Sequence, residues 1–221
     1  MQSRKSLQDK AYEYLKNQIM DGAFEKGKIY SLAAITASLN MSRTPVRDAL
    51  LSLSQENLVD VLPSRGFQLH EVTRREIIEL YQLRCAIEGY CAAFLASCYA
   101  ADPSRSEMSM LEKNLKLQEK AVYGHQSADE YCILDIEFHN IIISSTKNKH
   151  FYHIIKNNRV RSNDFSLVSL RKEGVIERTL KEHKAIYEAL CTGDPVLSQE
   201  KMILHLDTPL QNNLSSKLLS D

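Results

Sequence analysis

The 221-residue chain has no apolar run near the roughly 20 residues a bilayer-spanning helix needs. Its start, MQSRKSLQDKAYEYL, has no apolar stretch of the kind that opens a secretory leader, so a cytoplasmic protein without membrane contact is expected. The five cysteines (Cys85, Cys91, Cys98, Cys132 and Cys191) are odd in number and contain no CxxC pair. That argues against a disulfide framework and a thiolate zinc site, and leaves small buried side chains as their role. Net charge is missing too, since 28 Lys and Arg balance 28 Asp and Glu. Residues 1–72 hold nine cations against eight anions, leaving 19 against 20 in the remainder, so contact with a polyanion must rest on a local patch. Repeats, low-complexity segments, a Gly-rich phosphate loop and an aromatic box are all absent. What is present is ordinary globular composition, 43% hydrophobic and 25% charged, at a length that suits two domains.

From Leu7 to Met20 the apolar positions Leu7, Ala11, Tyr14, Leu15 and Ile19 keep helical spacing, and Asp21-Gly22 stops the helix. Ser31 is placed to cap a helix through Leu39, and Asn40 tolerates the left-handed conformation of a tight turn. Ser42 caps the next helix, which runs to about Gln55 with Pro45 harmless in its first turn and Val46, Ala49, Leu50 and Leu53 on one face. Leu58–Leu62 and Phe67–His70 then read as a small hairpin turned by Pro63-Ser64-Arg65-Gly66. Three helices followed by a hairpin is the order of a winged helix-turn-helix.

After His70 every signal is helical. Thr73-Arg74-Arg75-Glu76 is a capping box opening a long helix to about Tyr99, and Asp102-Pro103 is expected to cap another that ends near Gly124. Ser127-Ala128-Asp129-Glu130 is a second capping box, for a helix through about Ser145. A shorter helix is expected from Asn148 to roughly Arg161, the polar stretch around 162–174 resists assignment, and two further helices meet at Gly193-Asp194-Pro195. The expected fold class is mainly α: an N-terminal winged helix-turn-helix over residues 1–72 and a C-terminal all-helical bundle over 73–221.

The second helix of the helix-turn-helix presents its N-terminus with Ser42, Arg43, Thr44 and Arg47 outward, and the two arginines, four apart, share a face opposite Val46, Leu50 and Leu53. Free N–H groups and partial positive charge there suit phosphate, and arginines can reach guanine edges in the major groove. Arg65-Gly66 at the hairpin tip offers a cation to a neighbouring groove. Further on, Asp135 and His139 lie four apart on one helix face, a spacing that can share a cation but more often makes a surface hydrogen bond. His150 and His153 read as a solvated helix face, and His125 and His70 as surface residues.

Residues 31–69 resemble the GntR superfamily of bacterial repressors. Ser42 to Leu50, SRTPVRDAL, is similar to that family's recognition helix, and Leu58-Val59 through Pro63-Ser64-Arg65-Gly66 to its wing. The resemblance implies operator contacts from Ser42, Arg43, Thr44 and Arg47, with Arg65 and Gly66 contacting from the wing. Ala33-Ala34-Ile35 stands where many relatives carry a charged residue, so no contact is expected from that helix.

The stretch from about Thr73 to Leu214 resembles the FCD effector domain of the FadR-like branch. Four points carry this: Leu83-Arg84-x-x-Ile87-Glu88, Asp135-x-x-x-His139, Glu182-His183-x-x-Ile186 with Gly193-Asp194, and His205. The resemblance implies a divalent metal (Zn, Ni, Mn or Fe) held by Asp135, His139, His183 and His205, a donor set that suits such ions with a coordination position left open. It also implies a small organic-acid effector beside the metal. Arg84 serves either as a second anion contact for that acid or as a salt-bridge partner of Glu88. The function expected is a transcription regulator, a repressor binding a pseudo-palindromic double-stranded operator as a homodimer. Two rivals are a metal-dependent hydrolase-like domain and a constitutive DNA-binding protein with a structural metal.

Overall fold

The computed structural model describes residues 6–124 and 126–214, excepting the side chains of 159–166, 168 and 212–214. The chain divides between Val72 and Thr73 into two units.

In the first unit, α1 (Leu7–Met20), α2 (Leu32–Leu39) and α3 (Arg43–Gln55) precede the hairpin of β1 (Val59–Leu62) and β2 (Gly66–Leu69). Ser6 and Asp9 close a capping box at the start of α1. Asn40 ends α2 in the left-handed conformation, at φ 49° and ψ 44°, which lets the chain reverse into α3 without a glycine. Antiparallel pairing sets Val59 opposite Leu69 and Val61 opposite Phe67. The core gathers Leu15, Val46, Leu50, Leu53, Val59 and Phe67, each contributed by the apolar stripe of its element. Phe67 also stacks on Tyr30, with centroids 5.7 Å apart, and meets Phe24 edge-on. Lys16 on α1 pairs with Glu56 at 2.7 Å, and Tyr12 hydrogen-bonds the same carboxylate. These contacts pin α1 against the end of α3.

The second unit is helical throughout its described residues: α4 (Arg74–Ala101), α5 (Ser106–Tyr123), α6 (Ala128–Ser144), α7 (Lys149–Leu170), α8 (Val175–Thr192) and α9 (Pro195–Leu214). Capping boxes at Thr73–Glu76 and Ser127–Glu130 start α4 and α6. Asp194 Oδ1 accepts the backbone N–H of Val196 and Leu197, with Pro195 at the first helical position of α9, where it needs no donor. Gly193 ends α8 at φ 71°, where a Cβ would come within 2.8 Å of Ala100 Cβ, so the turn needs glycine for both its conformation and its closeness. The core gathers Leu95, Leu111, Phe138, Ile142, Ile186, Leu190 and Met202, drawn from all these helices except α7, whose Ile155 joins it.

Three expectations need correction. Asp102 does not cap α5: it ends α4, and its carboxylate accepts the Ser104 N–H and hydroxyl in a local turn, so α5 opens three residues later behind Arg105. The helix that starts after Asn148 does not stop near Arg161 but continues to Leu170. Leu167 and Leu170 pack there against Tyr131, Cys132 and Val175, so tertiary burial holds a stretch whose polarity hid it. His70 is largely covered, with its Nδ1 2.7 Å from Asp60 Oδ1. His150 and His153 are exposed; His125 lies outside the described residues.

Candidate functional site: a DNA-reading helix and a buried histidine cluster

In the N-terminal unit, Ser42, Arg43, Thr44 and Arg47 are exposed, and the opposite face of α3 is sunk in the core through Val46, Ala49, Leu50 and Leu53. Ser42 has N-cap geometry, yet its hydroxyl makes no capping hydrogen bond, unlike Ser6 and Ser31. The mouth of α3 therefore offers two arginines, a hydroxyl outside the caps and unpaired backbone N–H groups to an anion. Arg65 is exposed at the wing turn. Gly66 has a reason of its own: at φ 127° it precedes Phe67, whose backbone pairs with Tyr30, and a Cβ on Gly66 would fall 2.0 Å from the Tyr30 carbonyl oxygen. Only glycine lets the wing approach the segment leading into α2.

In the C-terminal unit, three helices bring together the residues that sequence scattered. Asp135 and His139 project from α6, His183 from α8 and His205 from α9, and one donor atom of each lies within 4.8 Å of every other. All four are buried, His183 completely. His205 Nε2 is 3.1 Å from His139 Nε2 and 3.3 Å from His183 Nε2, and His183 Nε2 is 3.5 Å from Asp135 Oδ1.

The outward nitrogens explain the inward ones. His139 Nδ1 lies 2.5 Å from Glu88 Oε2 and His205 Nδ1 2.9 Å from Glu182 Oε2. His183 Nδ1 lies 2.8 Å from Gln118 Oε1. Each partner oxygen can only accept, so each Nδ1 carries a hydrogen, and each ring turns its Nε2 toward the centre. Nε2 atoms 3.1 and 3.3 Å from that of His205 suit a shared cation, and their outward Nδ1 partners are of the kind that orients metal-ligating imidazoles. The residues present fit a divalent ion.

Burial holds His183 well below its ordinary pKa, with His205, His139 and Arg84 pushing the same way. Burial also lowers His139, against the pull of Glu88. Burial alone would raise Glu88, but Arg84 and His139 hold it below the usual carboxylate range. Two imidazoles thus stay neutral and available as ligands. The Phe138 ring stacks on His183 at 4.0 Å and 14°, fixing its plane.

Arg84 makes the expected salt bridge and also faces a cavity. Its Nε donates to Glu88 Oε1 at 2.6 Å, and it lines a small cavity of about 20 Å³ with Asp135, His139 and His205. Ser169, Leu170, Val175, Thr179, Thr208 and Pro209 complete the wall. Pro209, four residues after His205, lacks the N–H that would bond the His205 carbonyl within α9.

Sequence reasoning missed Gln118, Asn114 and Tyr131, and assigned neither Glu88 nor Glu182 to a histidine. A signal existed for the amides. Along α5 the buried positions are Met108, Leu111, Asn114, Leu115, Gln118 and Ala121, a helical core stripe interrupted by two amides four apart.

Comparison with known proteins places both units. The model of the bacterial regulatory protein gntR family matches residues 7–69, and the FCD domain model matches residues 79–208. The gluconate operon transcriptional repressor of Bacillus subtilis (strain 168) is 28% identical over 202 residues, 89% of this chain and 80% of its own. The HTH-type transcriptional repressor RspR of Escherichia coli (strain K12) is 26% identical over 195 residues, 88% and 83%. Among solved structures, a GntR regulator from Rhodococcus sp. RHA1 shares the fold at TM-score 0.65 and 24% identity, covering 96% of this chain and all of its own. These relatives are transcription regulators and not enzymes, which removes the hydrolase alternative. The chain belongs to the GntR family of bacterial regulatory proteins, a DNA-binding transcription regulator with an FCD domain C-terminal to its helix-turn-helix.

Proposed function

We propose that the chain is a cytoplasmic repressor whose operator affinity is set by a small organic acid bound beside a divalent metal. Asp135, His139, His183 and His205 hold the ion, and Arg84 faces the acid's carboxylate. The observation that carries this reading is the convergence of three Nε2 atoms, each ring with its Nδ1 turned outward to an accepting oxygen, beside a cavity that His139, His205 and the Arg84 guanidinium line. Such an ion supplies an open coordination position to which a carboxylate binds.

The described cavity has room for about one water. Entry of an acid therefore requires the rim formed by the end of α7 (Ser169, Leu170) and by Thr208 and Pro209 of α9 to widen. A ligand that favours the widened arrangement shifts the population toward it, whereas affinity without that preference shifts nothing.

On DNA, Ser42, Arg43, Thr44 and Arg47 of each recognition helix contact base edges and phosphates, and Arg65 and Gly66 contact from the wing. A homodimer sets two such helices about 34–36 Å apart or a multiple of it, in successive major grooves of a pseudo-palindromic operator.

The test is operator binding of the full chain loaded with zinc, titrated with a panel of hydroxy- and dicarboxylic acids, with and without chelator, beside His183→Ala. At least one acid is expected to change the affinity of the wild type and to lose that effect in His183→Ala and after chelation. Binding that ignores every acid would favour a constitutive DNA-binding protein with a structural metal, and full zinc occupancy in His183→Ala would remove the site.

A further inference from the structure

Two of the three inward imidazoles are oriented by carboxylates, but His183 is oriented by a neutral amide. A carboxylate can only accept, whereas an amide can turn over and present N–H₂ instead, and a reversed Gln118 would face His183 with a donor. Some other group must therefore decide which way Gln118 points.

The network around it does so. Gln118 is fully buried and Asn114 is 2% exposed. Asn114 Nδ2 donates to the Leu134 backbone carbonyl and to Glu137 Oε2, both at 3.2 Å. Both acceptors lack hydrogens, so the Asn114 amide has one possible sense and its Oδ1 faces the other way. Gln118 Nε2 donates to that oxygen at 2.7 Å. The Gln118 Oε1 is thereby left to accept from His183 Nδ1 at 2.8 Å and from Tyr131 Oη at 2.8 Å. Reversing Gln118 alone would set its Oε1 against Asn114 Oδ1, and reversing both amides would set Asn114 Oδ1 against the Leu134 carbonyl.

We infer that Asn114 and Gln118 form an amide relay, anchored on the α6 backbone at Leu134, that fixes the tautomer of His183 so that its Nε2 lone pair faces the metal position. Both are positioning residues: neither reaches the centre, and both act through His183. The proposal rests on the metal reading for its purpose but on hydrogen-bond direction for its content. A buried amide pair kept only for packing would leave the His183 tautomer indifferent to Asn114. The relay makes it depend on a residue two hydrogen bonds away.

The test uses the full chain, ¹⁵N-labelled and stripped of metal, with the ring tautomers read by two-bond ¹⁵N–¹H correlation and zinc affinity read by competition with a chromophoric chelator. The expected result is hydrogen on Nδ1 of His183 in the wild type and a mixture of tautomers in Asn114→Leu. Gln118→Met should lose zinc affinity about 10–100-fold, the range for removing such an outer partner. Gln118→Glu, which restores an acceptor, should recover most of it. Hydrogen on Nε2 of His183 in the unmodified protein overturns the relay even if every variant misfolds, and wild-type zinc affinity in a folded Gln118→Met does the same. Hydrogen on Nδ1 in a wild type that binds no zinc supports the relay while refuting the metal reading, so the two fail separately.

Discussion

The two units carry their functional groups in opposite ways. In the N-terminal unit Ser42, Arg43, Thr44 and Arg47 stand in solvent on one face of α3, and its other face supplies Val46, Leu50 and Leu53 to the core. In the C-terminal unit Glu88, Asp135, His139, His183 and His205 are all buried, within helices whose other inward positions are mostly apolar. A face of exposed cations separates function from folding, because an arginine in water costs the fold little whether it is present or not. A buried polar cluster does not separate them. Every charge and lone pair must find a partner there, so a change made for function is also a change in stability. The difference matches the tasks proposed for the two units: DNA is met at a surface, whereas a small ion and acid would need a dry, ordered enclosure.

The comparison is broken most severely at Glu88. Its carboxylate receives Arg84 on one side and His139 on the other, and all three sit away from bulk water. Glu88→Ala takes from a largely covered guanidinium its hydrogen-bonded counter-charge and is expected to cost about 3 kcal/mol, the low end of the range for removing one partner of a buried ion pair. Glu88→Gln keeps an acceptor and should cost less. The measurement is the urea midpoint of the full chain with operator affinity recorded in parallel. An unshifted midpoint for Glu88→Ala would show that the cluster can lose a charge as freely as the surface can.

How far the sequence exposed each unit follows from the same difference. The helix-turn-helix was legible because its signals are local: Ser31 as cap, Asn40 as left-handed turn, and the spacing of Val46, Ala49, Leu50 and Leu53. Arg43 and Arg47 point outward because their neighbours point inward. The cluster is non-local. Asp135 and His139 share one helix, but nothing in the spacing of His183 and His205 says that α8 and α9 bring them to the same point, and that set came from family resemblance. The orienting partners were hidden further still, since Gln118 and His183 are 65 residues apart and connected only by packing. The end of α7 was missed because the largely polar stretch around 162–174 shows no clear apolar stripe, while its helical form depends on Leu167 and Leu170 finding the cluster of Tyr131 and Val175. The cap assigned to Asp102-Pro103 failed at short range, where the aspartate is taken by Ser104 two residues away.

Smaller effects sharpen the comparison on the exposed side. Arg47→Ala should weaken operator binding by about 1–3 kcal/mol at matched salt while leaving the urea midpoint in place. Equal operator affinity would remove Arg47 from the interface, and a lowered midpoint would show that the reading face also bears load. The finest test contrasts two serines with the same backbone geometry. Ser31 Oγ accepts the Ala34 N–H at 3.1 Å, so Ser31→Ala should destabilise the N-terminal unit by about 1 kcal/mol. Ser42 occupies the same position on α3 without a capping bond, so Ser42→Ala should stay within about 0.5 kcal/mol of the wild type, as an exposed substitution does. Its effect should appear instead in operator affinity, because the hydroxyl left out of the cap is free to meet a phosphate. If the two substitutions cost the same stability, Ser42 caps α3 in solution, and the separation of function from folding at that helix mouth is incomplete.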